Sequence, residues 1–180
     1  QLIRIKEEVS PFLEMAAIHL RVHEAGGPAL LFENVKGSTF KTASNIFGTL
    51  ARSKFIFRDT LQTVQQLIEL KNDPVNAIKH PIKNFSAGLA AIKALPLKNP
   101  INKPVLFQEI KITDIPQIQH WKMDGGAFVT LPQVYTEDMD KPGIMNANLG
   151  MYRIQLSGND YVPDKEIGLH YQLHRGIGVH

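Results

Sequence analysis

The periodicity of the chain changes character at Pro104. Upstream, apolar residues recur at helical spacing or in one short run; downstream they fall into short β-like runs separated by turns. Such a texture is that of an α+β protein: an N-terminal α/β lobe over 1–104, then the first part of a mostly antiparallel barrel over 105–180. Strand candidates are 105–111, 127–135, 149–156 and 168–173. The turns between them are Asp124-Gly125-Gly126, Lys141-Pro142-Gly143 and Ser157-Gly158-Asn159-Asp160. A barrel needs roughly six or more strands to leave no open edge. Only about four or five are spelled out, so the last is expected to lack a partner within the chain.

Within the lobe, Ser10-Pro11 ahead of Phe12, Met15, Ala16, His19, Leu20 and His23 predicts a helix with a serine cap and proline in its first turn. It should end near Ala25, where Gly26-Gly27-Pro28 breaks it. Residues 29–35 read as a buried strand, Lys36-Gly37-Ser38 as a turn and 43–50 as a short helix. Asp59 or Thr60 can cap a helix carried by Leu61, Val64, Leu67, Ile68 and Leu70 and ending at Asn72-Asp73-Pro74. Residues 86–95 are Ala-rich and helical up to Pro96, and 97–104 read as a linker.

Composition narrows the chemistry. The 180 residues contain no cysteine, which removes disulfides, thiolate nucleophiles and Cys-based zinc sites together. A metal would have to be held by His, Asn, Asp, Glu or a ligand oxygen. The net charge of +3 comes from scattered basic residues without an interleaved aromatic stripe, so nucleic acid is not an expected partner. No apolar run approaches the ~20 residues of a membrane span. The chain opens on Gln1 with no signal-peptide pattern, so a cytoplasmic protein is expected, with a segment missing upstream.

Two segments gather the groups that hold phosphates and metals. Asn148 can offer a carbonyl oxygen to a hard metal, and Arg153 a planar fork to a phosphate or carboxylate. In a regular strand the two would point to opposite faces, a constraint that vanishes if Asn148 sits in the loop before the strand. The bland alternative is a turn asparagine and a solvated arginine. His170 and His174 are four apart, ~13 Å along a strand, so at most one can be a ligand of a given ion. His174-Arg175-Gly176 is the better candidate, because the glycines at 176 and 178 let a ligand approach the main chain. A surface histidine is the alternative there. His19 and His23 share a helix face but have no evident third ligand, so they read as structural. No GxGxxG, P-loop or Ser-His-Asp pattern is present.

Four ordered blocks, 26–37, 124–132, 148–153 and 174–176, together resemble the UbiD family of reversible decarboxylases. The opening residues 1–5 are similar to that family's amino-terminal segment. The resemblance covers nearly the whole chain. It implies prenylated FMN as cofactor, Mn2+ with K+ as an accompanying ion, and a flavin-reductase-like split β-barrel in the second half. It also implies that the chain is a piece of a longer enzyme. By position, Asn148 and His174 match metal ligands of the family. Met151, Tyr152, Arg153, His170, Tyr171, Gln172, Arg175 and Gly176 match cofactor contacts, and Arg153 the catalytic arginine. The family's metal-binding glutamate and the acidic partners of that arginine fall beyond residue 180, so the chain alone is expected to be inactive. Further implications are an aromatic or α,β-unsaturated acid as substrate, with 4-hydroxy-3-polyprenylbenzoate of quinone biosynthesis as the first example. A flavin prenyltransferase supplying the cofactor and a homo-oligomer complete them. Two other readings stay open: a split-barrel FMN oxidoreductase, and a non-catalytic oligomerisation module.

Overall fold

The computed structural model describes residues 1–72, 85, 88, 89, 92 and 108–171. By contact the chain divides into two units: Gln1–Thr49 together with Leu106–His180, and Leu50–Val105. In the first unit, β1 (Leu2–Val9), α1 (Glu14–Glu24) and β2 (Ala29–Val35) form a βαβ segment, with β1 parallel to β2. The short β3 (Thr42–Ser44) adds antiparallel to β2, so β2 is central. That position suits its apolar run Ala29-Leu30-Leu31-Phe32, which Glu33 and Asn34 interrupt before Val35. Leu30, Phe32 and Val35 are buried, and with Val9 and Met15 they form the core against which Ile5, Ile18, Val22 and Ile118 pack.

The helix α1 starts three residues later than its capping pattern predicts. Residues 11–13 are used elsewhere: Gln119 donates its N–H to the Pro11 carbonyl, and the Leu13 N–H donates to the Gln119 carbonyl, both at 3.1 Å. Phe12 thus bridges Gln119 in parallel, and Leu13 takes φ 63°. Ser10 still serves the helix, through its carbonyl and through an N–H that donates to Glu14 at 2.7 Å. The far end is as expected. Gly26 adopts φ 61° and donates to the His23 carbonyl, while Gly27 donates to the Val22 carbonyl, the paired bonds that close a helix on a left-handed glycine.

Other expectations are corrected. β1 was not anticipated, because Lys6-Glu7-Glu8 interrupts its alternation; only Val9 of it is buried, and pairing with β2 holds it. The short helix expected over 43–50 is instead β3 followed by α2, which begins at Leu50. Ser44 and Asn45 face inward from β3 and its exit, and Asn45, at φ 54°, anchors the chain by donating to the Gly27 and Pro28 carbonyls. A helix would have carried both away.

In the second unit, α2 (Leu50–Ile56) and α3 (Leu61–Asn72) are as far as the description reaches, apart from four isolated residues. α3 begins after Thr60, as read from the sequence. The helix expected over 86–95 and the linker over 97–104 lie largely or wholly outside the described residues. No helix among the described residues is long and apolar enough to cross a membrane.

The β-rich part returns to the first unit as β4 (Phe128–Val129), β5 (Gln133–Glu137), β6 (Ala147–Met151), β7 (Arg153–Gln155) and β8 (Gly168–His170). They form a three-stranded sheet in the order β4-β7-β8 and a hairpin of β5 with β6, all antiparallel. The run 127–135 breaks at Leu131-Pro132, since proline gives no N–H to a ladder; the run 149–156 breaks at Tyr152. Asn148 stands inside β6 rather than in a loop. Of the strand expected over 105–111, residues 105–107 lie outside the description, and 108–111 are not strand. The described strands do not close a barrel.

Candidate active site

β7 positions the site. Its register sets Arg153 opposite His170, and Gln155 opposite both Gly168 and Phe128. Paired residues of an antiparallel ladder share a face, and so do residues two apart along a strand. Arg153, Gln155, His170 and Phe128 therefore stand on one face, and their side chains meet there. The guanidinium carbon of Arg153 lies 3.8 Å from the Phe128 ring centre, and the His170 ring meets Phe128 edge-on at 5.2 Å. Gln155 is 1% exposed; its Nε2 donates to the Ser157 carbonyl at 2.9 Å and its Oε1 accepts from Asn159 at 3.1 Å. Because Oε1 can only accept, His170, 3.0 Å away, presents Nε2–H to it and keeps Nδ1 open in its neutral tautomer.

Arg153 has a carboxylate partner within this chain. Its Nη2 donates to Oδ2 of Asp124 at 2.7 Å, and the Trp121 N–H donates to the same oxygen at 3.1 Å. The hydrogen bond from Arg153 is the largest influence holding the Asp124 carboxyl below the usual carboxylate range, against the opposing effect of burial. Glycines fix the turn that carries Asp124. A Cβ on Gly126 would collide with the Ser157 carbonyl, and one on Gly158 with the Gly125 carbonyl. The two turns can close on each other only without side chains.

Asn148 stands opposite Thr136 in the β5–β6 hairpin and donates its amide N–H to the Tyr152 hydroxyl at 2.7 Å. Its carbonyl oxygen has no partner among the described residues, and the Thr136 hydroxyl across from it is buried without one. No hydrogen bond joins Asn148 to Arg153 among the described residues. Met151 and Tyr171 are exposed. Gln172, His174, Arg175 and Gly176 lie outside the described residues. Within them, no group of three or more His, Asp or Glu stands together as a metal cage.

Phe128 also lines a cavity of about 850 Å³ whose wall carries His19, His23 and His120. Apart from Phe128, none of the residues described around Arg153 and Asn148 lines it. The His19 and His23 rings stack 5.9 Å apart; His19 Nδ1 meets Ser44 at 2.6 Å and His23 Nδ1 meets Asn45 Oδ1 at 3.3 Å. His120 Nδ1 is buried without a hydrogen-bond partner among the described residues. Burial first, then the charge of His23, lowers the pKa of His19; burial first, then the charge of Arg153, lowers that of His120.

Both rings thus resist protonation more than unfolded histidine does, so the unfolded chain takes up protons first as pH falls below about 6.5. Stability is expected to decline from pH 7 toward pH 5. His120→Gln should flatten that decline, read as Tm against pH by circular dichroism. An unchanged slope would remove His120 from the account.

Asp124 and Gln155 were missed as site residues. Gln155 was within reach of strand alternation, being two residues from Arg153. Asp124 was visible only as a turn residue, because nothing local pairs it with an arginine 29 positions away.

Residues 1–71 match the family model of the 3-octaprenyl-4-hydroxybenzoate carboxy-lyase N-terminal domain, and residues 95–180 that of the Rift-related domain of the same carboxy-lyase. The chain is 38% identical over 186 residues to a Chlamydia pneumoniae protein named as a subunit of 4-hydroxybenzoate decarboxylase, covering 100% of this chain and 30% of that protein. It is 40% identical over 186 residues to a Chlamydia caviae protein, covering 99% of this chain and 30% of that one. It therefore spans about 30% of the length of these relatives. Among solved structures, the closed form of vanillic acid decarboxylase from Sedimentibacter hydroxybenzoicus is similar with a TM-score of 0.64 at 23% identity, covering 96% of this chain and 34% of that one. The UbiD-class enzyme HmfF from Pelotomaculum thermopropionicum, in complex with prFMN, gives 0.60 at 19%, covering 95% and 35%. At these identities the structural likeness speaks for the fold.

Proposed function

Because this chain belongs to the UbiD family, we propose that the protein carrying it decarboxylates an aromatic or α,β-unsaturated carboxylic acid non-oxidatively, using prenylated FMN. The observation that carries this is Arg153, held against Phe128 with a single bond to Asp124. Its Nε and both Nη1 hydrogens have no partner among the described residues, so they can take up a carboxylate.

The residues present fit such a cofactor. The uncommitted Asn148 oxygen and the orphaned Thr136 hydroxyl across from it are hard oxygen groups suited to a divalent metal or its ligand phosphate. In this proposal Asn148 and His174 hold Mn2+, with K+ as an accompanying ion. Met151, Tyr152, His170, Tyr171, Gln172, Arg175 and Gly176 contact the flavin, with Arg153 among them. When bound, prenylated FMN supplies a sink for the electron pair left as carbon dioxide departs. Arg153 grips the leaving carboxylate and orders the proton donor that replaces it.

The lobe over 1–104 and the barrel half over 105–180 belong to the same reading. So do a flavin prenyltransferase as supplier, a homo-oligomeric assembly and a cytoplasmic location. The names 4-hydroxybenzoate decarboxylase and 3-octaprenyl-4-hydroxybenzoate carboxy-lyase make a 4-hydroxybenzoate, prenylated at position 3 for quinone biosynthesis, the first substrate to try.

Mass spectrometry of the small molecules released from denatured full-length protein tests the reading. Prenylated FMN is expected; unmodified FMN with NAD(P)H consumption would make the protein an oxidoreductase, and no flavin would make it a binding module. The 180-residue chain alone is expected to release no carbon dioxide.

A further inference from the structure

The pairing of Arg153 is unusual for an arginine that is to grip an anion. A structural Arg–Asp pair commonly uses two parallel bonds. Here, among the described residues, only Nη2 is engaged, at 2.7 Å, while the ring of Phe128 fixes the plane of the guanidinium from its face. The Asp124 side chain is 9% exposed against 34% for Arg153, so the carboxylate is the buried and fixed member. It is fixed further by the Trp121 N–H and by a turn that Gly126 and Gly158 clamp to residues 157–158. Among the described residues the arrangement leaves four of the five guanidinium N–H bonds, that of Nε, both of Nη1 and the second of Nη2, for a second anion beside Asp124.

The chemistry proposed above sets a limit on how strongly that second anion should be held. When the bond between the carboxyl group and the substrate carbon breaks, its electron pair stays on the substrate side, neutral carbon dioxide leaves, and a proton takes the vacated position. Negative charge therefore moves away from the carboxylate as the transition state is reached. Any ionic stabilisation of the carboxylate in the ground state is lost at that point and slows the step. A bare, desolvated guanidinium would bind the substrate tightly and turn it over poorly.

We infer that Asp124 is a positioning residue that tempers Arg153: it aims the guanidinium at the substrate carboxylate while offsetting the charge that would over-stabilise that carboxylate. The inference rests on the decarboxylase reading and adds to it a carboxylate that acts before any partner residue elsewhere in the protein.

The test uses full-length protein and Asp124→Asn, which keeps the shape and an acceptor for Trp121 while removing the charge. Loss of the neutralising charge should lower kcat by about 10- to 100-fold with KM unchanged or lowered. Binding of benzoate, an unreactive carboxylate probe, should tighten by about 3- to 10-fold by calorimetry, with phenol binding unchanged. On an Arg153→Ala background the same substitution should leave benzoate affinity where it was, since the effect passes through the guanidinium. A side chain that merely supports the fold would weaken benzoate and phenol together. Should Asp124→Asn fold poorly, Asp124→Ser, which also retains an acceptor, carries the same comparison. An unchanged kcat, weaker or unchanged benzoate binding, or equal tightening without Arg153 overturns the inference. If wild-type protein released no carbon dioxide from any aromatic acid, the decarboxylase reading would fall, and the benzoate comparison would still decide what Asp124 does to Arg153.

Discussion

Arg153→Ala in the full-length protein is expected to abolish turnover while leaving most of the flavin absorbance in place. Two effects combine. The substrate carboxylate loses the only described cation on this face of the β4-β7-β8 sheet, and Asp124, 9% exposed, is left facing it with an uncompensated charge. Lysine is not a substitute. Its point charge cannot lie flat on Phe128, where the guanidinium carbon now sits 3.8 Å from the ring centre, and still serve both Asp124 and a second anion. Arg153→Lys is therefore expected to fall by about 100-fold or more in kcat/KM, approaching the alanine variant. Steady-state carbon dioxide release, with the flavin spectrum recorded alongside, reads both. Substantial turnover by the alanine variant would take Arg153 out of the catalytic role.

The largest effect on stability is expected from Phe32→Ala, at about 3–5 kcal/mol. Phe32 is 0% exposed at the centre of the three-stranded sheet, paired with Ile5 on one side and Thr42 on the other. The strands around it are held by their ladders and cannot collapse into the space an alanine leaves. Since a domain is stable by only about 5–15 kcal/mol, a large part of the margin would go. Urea unfolding followed by circular dichroism measures it, and a loss below about 1 kcal/mol would mean that the core reorganises around the cavity.

The lobe and the site were not equally legible. β2 could be read to the residue, because it is a short, mostly apolar run closed off by the glycine and proline before it and the turn after it, and its Leu30, Phe32 and Val35 enter the core. The end of α1 was equally plain, since Gly26-Gly27-Pro28 permits the left-handed exit and forbids continuation. β1 and β3 were not legible, because one carries charges at an open edge and the other is three residues long; both exist through their pairing with β2. The late start of α1 has the same origin, in a partner more than a hundred positions away at Gln119.

By itself the sequence determined the α+β texture, the turn positions and the family to which the chain belongs, since each is written in local spacing or in ordered blocks of residues. It also singled out Arg153 and His170. Only the tertiary structure decided that these two share a face, that Gln155 fixes the tautomer of the histidine, and that the arginine already holds a carboxylate. The reason is physical. Strand register, the meeting of two glycine turns and the approach of Asp124 to Arg153 are set by contacts between segments far apart in the chain, and no local pattern encodes them.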